Sequence, residues 1–167
     1  KCTPDGRRVA QALGSQLPQE RRVIGLNIGC GTPDALPKRP SLELLAEACH
    51  LLSQQAPSVL VLTGAPFEKA VNQEFLALLR ARHGDDLPAL DVAGTSSLSG
   101  LTGVISLCDL FISSDSGPYH MAVAMKKPTL ALFNFETPPS YHHDAWCRCL
   151  VQPTAQELLQ AAAAVAA

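Results

Sequence analysis

Residues 109–133 read DLFISSDSGPYHMAVAMKKPTLALF, and the fold follows from how this stretch divides. Leu110–Ser113 is an apolar run of strand length, and Ser114–Gly117 is a tight turn. Pro118–Lys126 spaces its apolar residues as a short helix, and Thr129–Phe133 is a second apolar run. Strand, turn, helix, strand is one βαβ unit of a parallel sheet. Pro118 suits the first turn of a helix, where its missing N–H costs nothing, and Gly117 lets backbone approach a ligand closely. Free N–H groups and the positive end of the helix dipole then face whatever lies above the turn, which suits phosphate. His120 falls one turn further along. Taken alone, such a turn is also what a capped loop with a surface histidine looks like. Its place at the carboxyl end of a parallel strand, where open α/β sheets bind ligands, favours a site.

Outward from this unit, strands and helices alternate. Val23–Ile28 predicts a strand, followed by a glycine-containing loop, Gly29–Pro40. Ser41 can cap a helix carrying Leu42, Leu45, Cys49 and Leu52 on one side. Ser58–Thr63 is apolar nearly throughout, as a strand covered on both faces requires. Gly64-Ala65-Pro66 breaks it. A helix is predicted over Glu68–Arg82, with Val71, Phe75 and Leu78 inward and Gly84 as its stop. Asp91–Ala93 predicts a short strand and Gly94–Ser97 a loop, and Leu98, Leu101, Ile105 and Cys108 mark a further helix. After Phe133 the chain is expected to be irregular, rich in Pro and His through His143 and without a strand in 142–149. A last helix is opened by Thr154 and Glu157 as a capping box before an alanine-rich tail. The pattern predicts an α/β, Rossmann-like doubly wound parallel sheet over residues 23–167. Residues 1–22 are polar, with a weak helix around Arg8–Leu17, and are expected to be a linker or lead-in from a preceding segment.

The chain of 167 residues is long enough for one domain with a real core, and its net charge of −2, with no basic run, speaks against nucleic acid. No apolar stretch approaches the roughly 20 residues of a membrane span. With no signal peptide and with Lys1 at its start, the sequence is expected to be an excerpt of a longer cytoplasmic protein. The six cysteines are scattered, which suits reduced thiols rather than a disulfide framework. Cys147 and Cys149, with His142 and His143 nearby, are candidates for a metal site, but their one-residue spacing differs from the usual zinc knuckle.

The loops at the strands' carboxyl ends share one edge of such a sheet, so Gly29–Lys38, Thr63–Glu68, Gly94–Ser97 and Ser114–His120 converge there. A diphosphate fits Lys38 and the helix N-terminus, since both supply positive potential. Glu68 can accept from two neighbouring sugar hydroxyls, as acidic residues do for ribose in dinucleotide folds. A competing motif, Asn27-Ile-Gly-Cys-Gly-Thr-Pro33, is similar to the glycine-rich loop of S-adenosylmethionine methyltransferases. There Asn27 replaces an acidic residue, Pro33 replaces the third glycine, and no carboxylate follows the second strand at Thr63-Gly64.

Together these residues resemble the C-terminal domain of glycosyltransferase family 9, the ADP-heptose:lipopolysaccharide heptosyltransferases, over most of the chain from Val23 onward. Asp115-Ser-Gly-Pro-Tyr-His120-Met-Ala-Val-Ala, with Lys127-Pro128 and Leu130-Ala-Leu-Phe133, matches the family block D-S/T-G-x-x-H-x-A-x-A…P…LF. Gly64-Ala-Pro-Phe-Glu68 resembles its G-x-P-x-E, and Ala93-Gly-Thr-Ser-Ser-Leu98 its G-x-x-S-L. Lys38-Arg39-Pro40 resembles its K-x-W-P with the tryptophan absent. The resemblance implies one half of a GT-B enzyme that is inverting, independent of metal and free of cofactor. Ser116 and Gly117 would hold the donor's diphosphate, Lys38 would neutralise it, and Glu68 would bind the ribose. Asp115 and His120 would sit at the sugar–phosphate end, with Ser96 at the base. The catalytic base would lie in a missing N-terminal domain. The donor would be ADP-heptose or similar and the acceptor a lipid A-core saccharide or a protein, with the enzyme peripheral to the inner membrane. The alternative is a solitary Rossmann-like nucleotide-binding module.

Overall fold

The computed structural model describes residues 1–166, apart from the side chains of residues 33–35. The strands are β1 (Arg22–Asn27), β2 (Ser58–Leu62), β3 (Ala89–Asp91), β4 (Leu110–Ser114), β5 (Thr129–Phe133) and β6 (Cys147–Val151). The helices are α1 (Pro4–Gly14), α2 (Leu42–Gln55), α3 (Lys69–His83), α4 (Leu98–Leu107), α5 (Gly117–Ala124) and α6 (Ala155–Ala166). The six strands pair in the order β3-β2-β1-β4-β5-β6, and every pair is parallel. This is the doubly wound arrangement, with its reversal of strand order between β1 and β4.

Strand residues alternate between two apolar layers. Ile24, Leu26, Leu60, Leu62, Leu110 and Ile112 meet α2, α3 and α6 on one face. Val23, Val59, Val61 and Phe111 meet α1, α4 and Ala122 in the second half of α5 on the other. β1, β2, β4 and β5 are therefore almost wholly buried, which is why they read as continuous apolar runs. The capping box expected at the last helix is half made: the Glu157 N–H donates to Thr154 Oγ1 at 3.1 Å.

Three stretches differ from expectation. The sequence Cys147–Val151 forms β6, paired with β5 from Thr129↔Cys147 to Phe133↔Val151, where irregular chain was predicted. As an edge strand, only Cys147 is buried and Arg148 points to water, so it has no apolar run to announce it. The short third strand falls two residues earlier than expected, because Leu90 and Asp91 pair with Val61 and Leu62. Within 1–22, the helix begins at Pro4 rather than near Arg8. Thr3 caps it, its Oγ1 accepting from the Gly6 N–H at 2.9 Å. This lead-in segment packs on the domain. α1 crosses α4 so closely that a Cβ on Gly103 would collide with the Gly6 carbonyl, and Ser97 Oγ donates to Asp5 at 2.6 Å. Ala167, the last residue of the expected domain, lies outside the described residues.

Among the described residues, the large hydrophobic side chains left exposed are Leu36, Phe67, Leu98 and Phe135, at 62, 52, 71 and 49%. All four lie on segments that follow strands, at the carboxyl edge of the sheet.

Candidate functional site

The site is built where β1 and β4 diverge. Asn27, the last residue of β1, lies opposite Ser113 of β4 and is buried. Its amide donates to the Gly29 carbonyl at 3.0 Å and to Ser116 Oγ at 3.1 Å, and its oxygen accepts from Thr63 Oγ1 at 2.8 Å. Ser114 Oγ donates to the Gly29 carbonyl at 2.7 Å. These bonds tie the ends of three strands together beneath the loops. Asn27 therefore organises the floor, a role its position gave no cue to.

Above this floor is a cleft of about 300 Å³. Asn27, Thr63, Glu68, Ser96, Ser116 and Gly117 supply polar lining, while Pro66, Val92, Leu98, Leu101 and Pro118 supply apolar walls. Four of the sequence-expected residues (Glu68, Ser96, Ser116 and Gly117) thus share one cleft. Ser116 precedes α5 with its own hydroxyl turned into the floor. Pro118 has no N–H and the Tyr119 N–H donates to the Ser116 carbonyl at 3.2 Å, which leaves the Gly117 N–H and the positive end of the helix dipole for an anion from above.

Glu68 lies where loop meets helix, as expected, but its side chain is buried. It is only 5% exposed. A short 3₁₀ turn, Pro66–Glu68, folds the side chain back onto its own loop. Its Oε1 accepts from the Gly31 N–H at 3.0 Å and its Oε2 from the Ala65 N–H at 3.1 Å. A Cβ on Gly29 would run into this carboxylate, so the glycine makes room for it. Each carboxylate oxygen keeps a further lone pair. Glu68 also borders a second hollow of about 410 Å³, with Cys30, Leu36, Arg39 and Phe67 around it. Burial pushes the Cys30 thiol above its ordinary value.

Lys38 and Asp115 stand beside the cleft rather than in it. Lys38 Nζ lies 3.6 Å from Asp115 Oδ2, with the aspartate side chain 10% exposed. The Lys38 loop is held without the tryptophan of the resembled motif. Asn134, just past β5, donates to the carbonyls of Pro37 at 2.6 Å and Arg39 at 2.9 Å.

His120 lies on the outer rim, exposed, with its Nδ1 2.9 Å from His142 Nε2. Burial first, and then the neighbouring His142, hold its pKa below the usual histidine value, with Asp115 opposing. Tyr119, buried beneath it, contacts Cys149 Sγ at 3.1 Å and donates to the Ser140 carbonyl at 3.0 Å. All six cysteines are free thiols, and among the described residues no three His, Cys, Asp or Glu side chains gather as a metal site.

A parallel sheet in this strand order, with a half-polar, half-apolar cleft at its switch point, is an α/β Rossmann-like domain, and its solved neighbours include GT-B glycosyltransferases. The chain belongs to glycosyltransferase family 9 (heptosyltransferase), whose sequence pattern it matches over residues 19–157. Lipooligosaccharide heptosyltransferase 2 of Campylobacter jejuni is 26% identical over 113 residues, covering 68% of this chain and 34% of that protein. The E. coli ADP-heptose lipopolysaccharide heptosyltransferase II structure superposes with a TM-score of 0.76 at 23% identity, over 99% of this chain and 52% of that one. E. coli heptosyltransferase WaaC with ADP gives 0.62 at 20%, over 90% of this chain and 47% of that one. The chain thus spans about a third of the curated relative and about half of the solved ones. The methyltransferase reading of residues 27–33 gives way to this family. The Asn27 amide is taken up by the floor, and the side chain of Pro33 lies outside the described residues.

Proposed function

We infer that this chain is the donor-binding half of an inverting, metal-independent glycosyltransferase that takes ADP-heptose or a similar nucleotide sugar. The observation that carries the reading is the composition of the 300 Å³ cleft. Pro66, Val92, Leu98 and Leu101 offer a purine an apolar slot beside Ser96. The free lone pairs of Glu68 suit the ribose hydroxyls, and the Gly117 N–H with the positive end of the α5 dipole suits the diphosphate. Lys38 lies just outside, where a second phosphate or the sugar would emerge, and Asp115 and His120 flank that end. The relatives' ligands support the choice of nucleotide, since one solved neighbour holds ADP.

The attacking hydroxyl needs a base within hydrogen-bond reach, and that base is assigned to a preceding N-terminal domain facing the exposed edge with Leu36, Phe67, Leu98 and Phe135. The acceptor is a lipid A-core saccharide or a protein, and the place of action is the cytoplasmic side of the inner membrane. No described helix is long and apolar enough to cross a membrane. Calorimetric titration of the chain with ADP, GDP, UDP and ADP-sugars, with and without EDTA, tests the reading. ADP should bind nearly as well as its sugar conjugates, tighter than GDP or UDP, with no change on chelation. No ADP binding by the folded chain at millimolar concentration would end it.

A further inference from the structure

His120 is tethered by a group 22 positions away that the family resemblance does not involve. Its Nδ1 lies 2.9 Å from His142 Nε2, and His142 Nδ1 lies 3.9 Å from Asp144 Oδ2. His142 is itself anchored: its backbone N–H donates to the buried Tyr119 hydroxyl at 3.0 Å, and its ring meets Tyr119 edge-on at 5.2 Å. One proton must sit between the two imidazoles. Asp144 attracts a proton to His142 Nδ1, which leaves His142 Nε2 as the acceptor and obliges His120 Nδ1 to donate. His120 Nε2 is then a bare lone pair, the reverse of the tautomer a free imidazole prefers.

We propose that His142 is a positioning residue for His120. It fixes the Nδ1–H tautomer and so sets His120 Nε2 to take a proton from solvent when a nucleoside diphosphate binds at the start of α5. The proposal rests on the donor-site reading above. Every titratable neighbour fits the sequence of events. Asp115, on the turn before α5, draws positive charge toward His120, but Lys38 offsets it by ion pairing. Asp144 acts on the far ring. Tyr119 is held neutral by its burial, and then by Cys149, while Cys147 and Cys149 on β6 lie behind it. Without a ligand, burial and the neighbouring His142 therefore favour the neutral form of the rim histidine. An arriving diphosphate adds negative charge and raises its affinity for a proton. Between the free and bound pKa values the complex holds more protons than its parts. Affinity for ADP thus rises as pH falls through the bound value and levels off below the free one.

Two measurements test this on the chain as it is. Nitrogen-15 histidine spectra without ligand should show His120 as the Nδ1–H tautomer. They should show the ordinary Nε2–H form in His142→Phe, and the Nδ1–H form again in His142→Gln, whose side-chain oxygen still accepts. Calorimetry with ADP near pH 6.5, in buffers of different ionisation heat, should show uptake of a fraction of a proton per ADP. That uptake should vanish in His142→Phe, with affinity lower by about threefold to tenfold, the scale of half to one pKa unit. An Nε2–H tautomer in the free wild type overturns the pairing, whatever ADP does. ADP binding without uptake, or uptake unchanged in His142→Phe, overturns it while leaving the donor site standing. A wild type that binds no ADP overturns the donor site and the proton uptake built on it.

Discussion

Glu68 shows how much a single carboxylate can be asked to do. It closes two backbone N–H groups from different loops and also borders both hollows. Glu68→Ala should therefore lower stability as well as nucleotide affinity. Orphaning those donors costs about 2 kcal/mol, readable by chemical denaturation, and ADP binding should weaken by about 1.5–3 kcal/mol in calorimetry. Lys38→Ala should separate the two effects. Lys38 is 44% exposed, so its loss should leave the denaturation midpoint within about 0.5 kcal/mol while weakening ADP by about 1.5 kcal/mol. Among the cysteines, Cys149 should alkylate first at neutral pH. Cys147, two residues before it on β6, pulls its thiol below the ordinary value, whereas burial pushes Cys49 and Cys108 up to about 12. Mass mapping after brief iodoacetamide treatment reads this directly. At this scale the sequence located Glu68 but not its burial, since a loop glutamate is ordinarily solvated and only the glycine at 29 hinted otherwise. The structural roles of Asn27, Asn134 and His142 stayed unread because partners that define them lie 36, 97 and 22 positions away.

Elements were more legible wherever burial is two-sided. The apolar runs of β1, β2, β4 and β5 could be nothing else, and the doubly wound sheet follows from their alternation with helices. β6 was not legible, because an edge strand with one buried residue looks like the loop before it. The crossing of α1 over α4 was invisible for another reason: glycines at 6 and 103 meet face to face only once the chain has folded. Gly103→Ala should force the two helices apart and cost about 1–3 kcal/mol, measured as a lower midpoint in chemical denaturation.

On the scale of the molecule, the reading divides binding from catalysis. The isolated chain should bind ADP without measurable sugar transfer, and supplying the proposed N-terminal domain in trans should restore part of it. Robust transfer from residues 1–167 alone would place the base in this half. A product assay with ADP-heptose and a lipid A-core acceptor distinguishes the two outcomes.

The four exposed apolar side chains have a consequence for handling as well as for function. Leu36, Phe67, Leu98 and Phe135 crowd one edge of the domain. As a colloid the chain is lopsided, with one adhesive side on an otherwise well-solvated particle. Light scattering should show pairs forming as concentration rises, rather than open-ended aggregates, since two such edges can cover each other. Phe67→Ser should shift that association to higher concentration while leaving the melting temperature nearly unchanged.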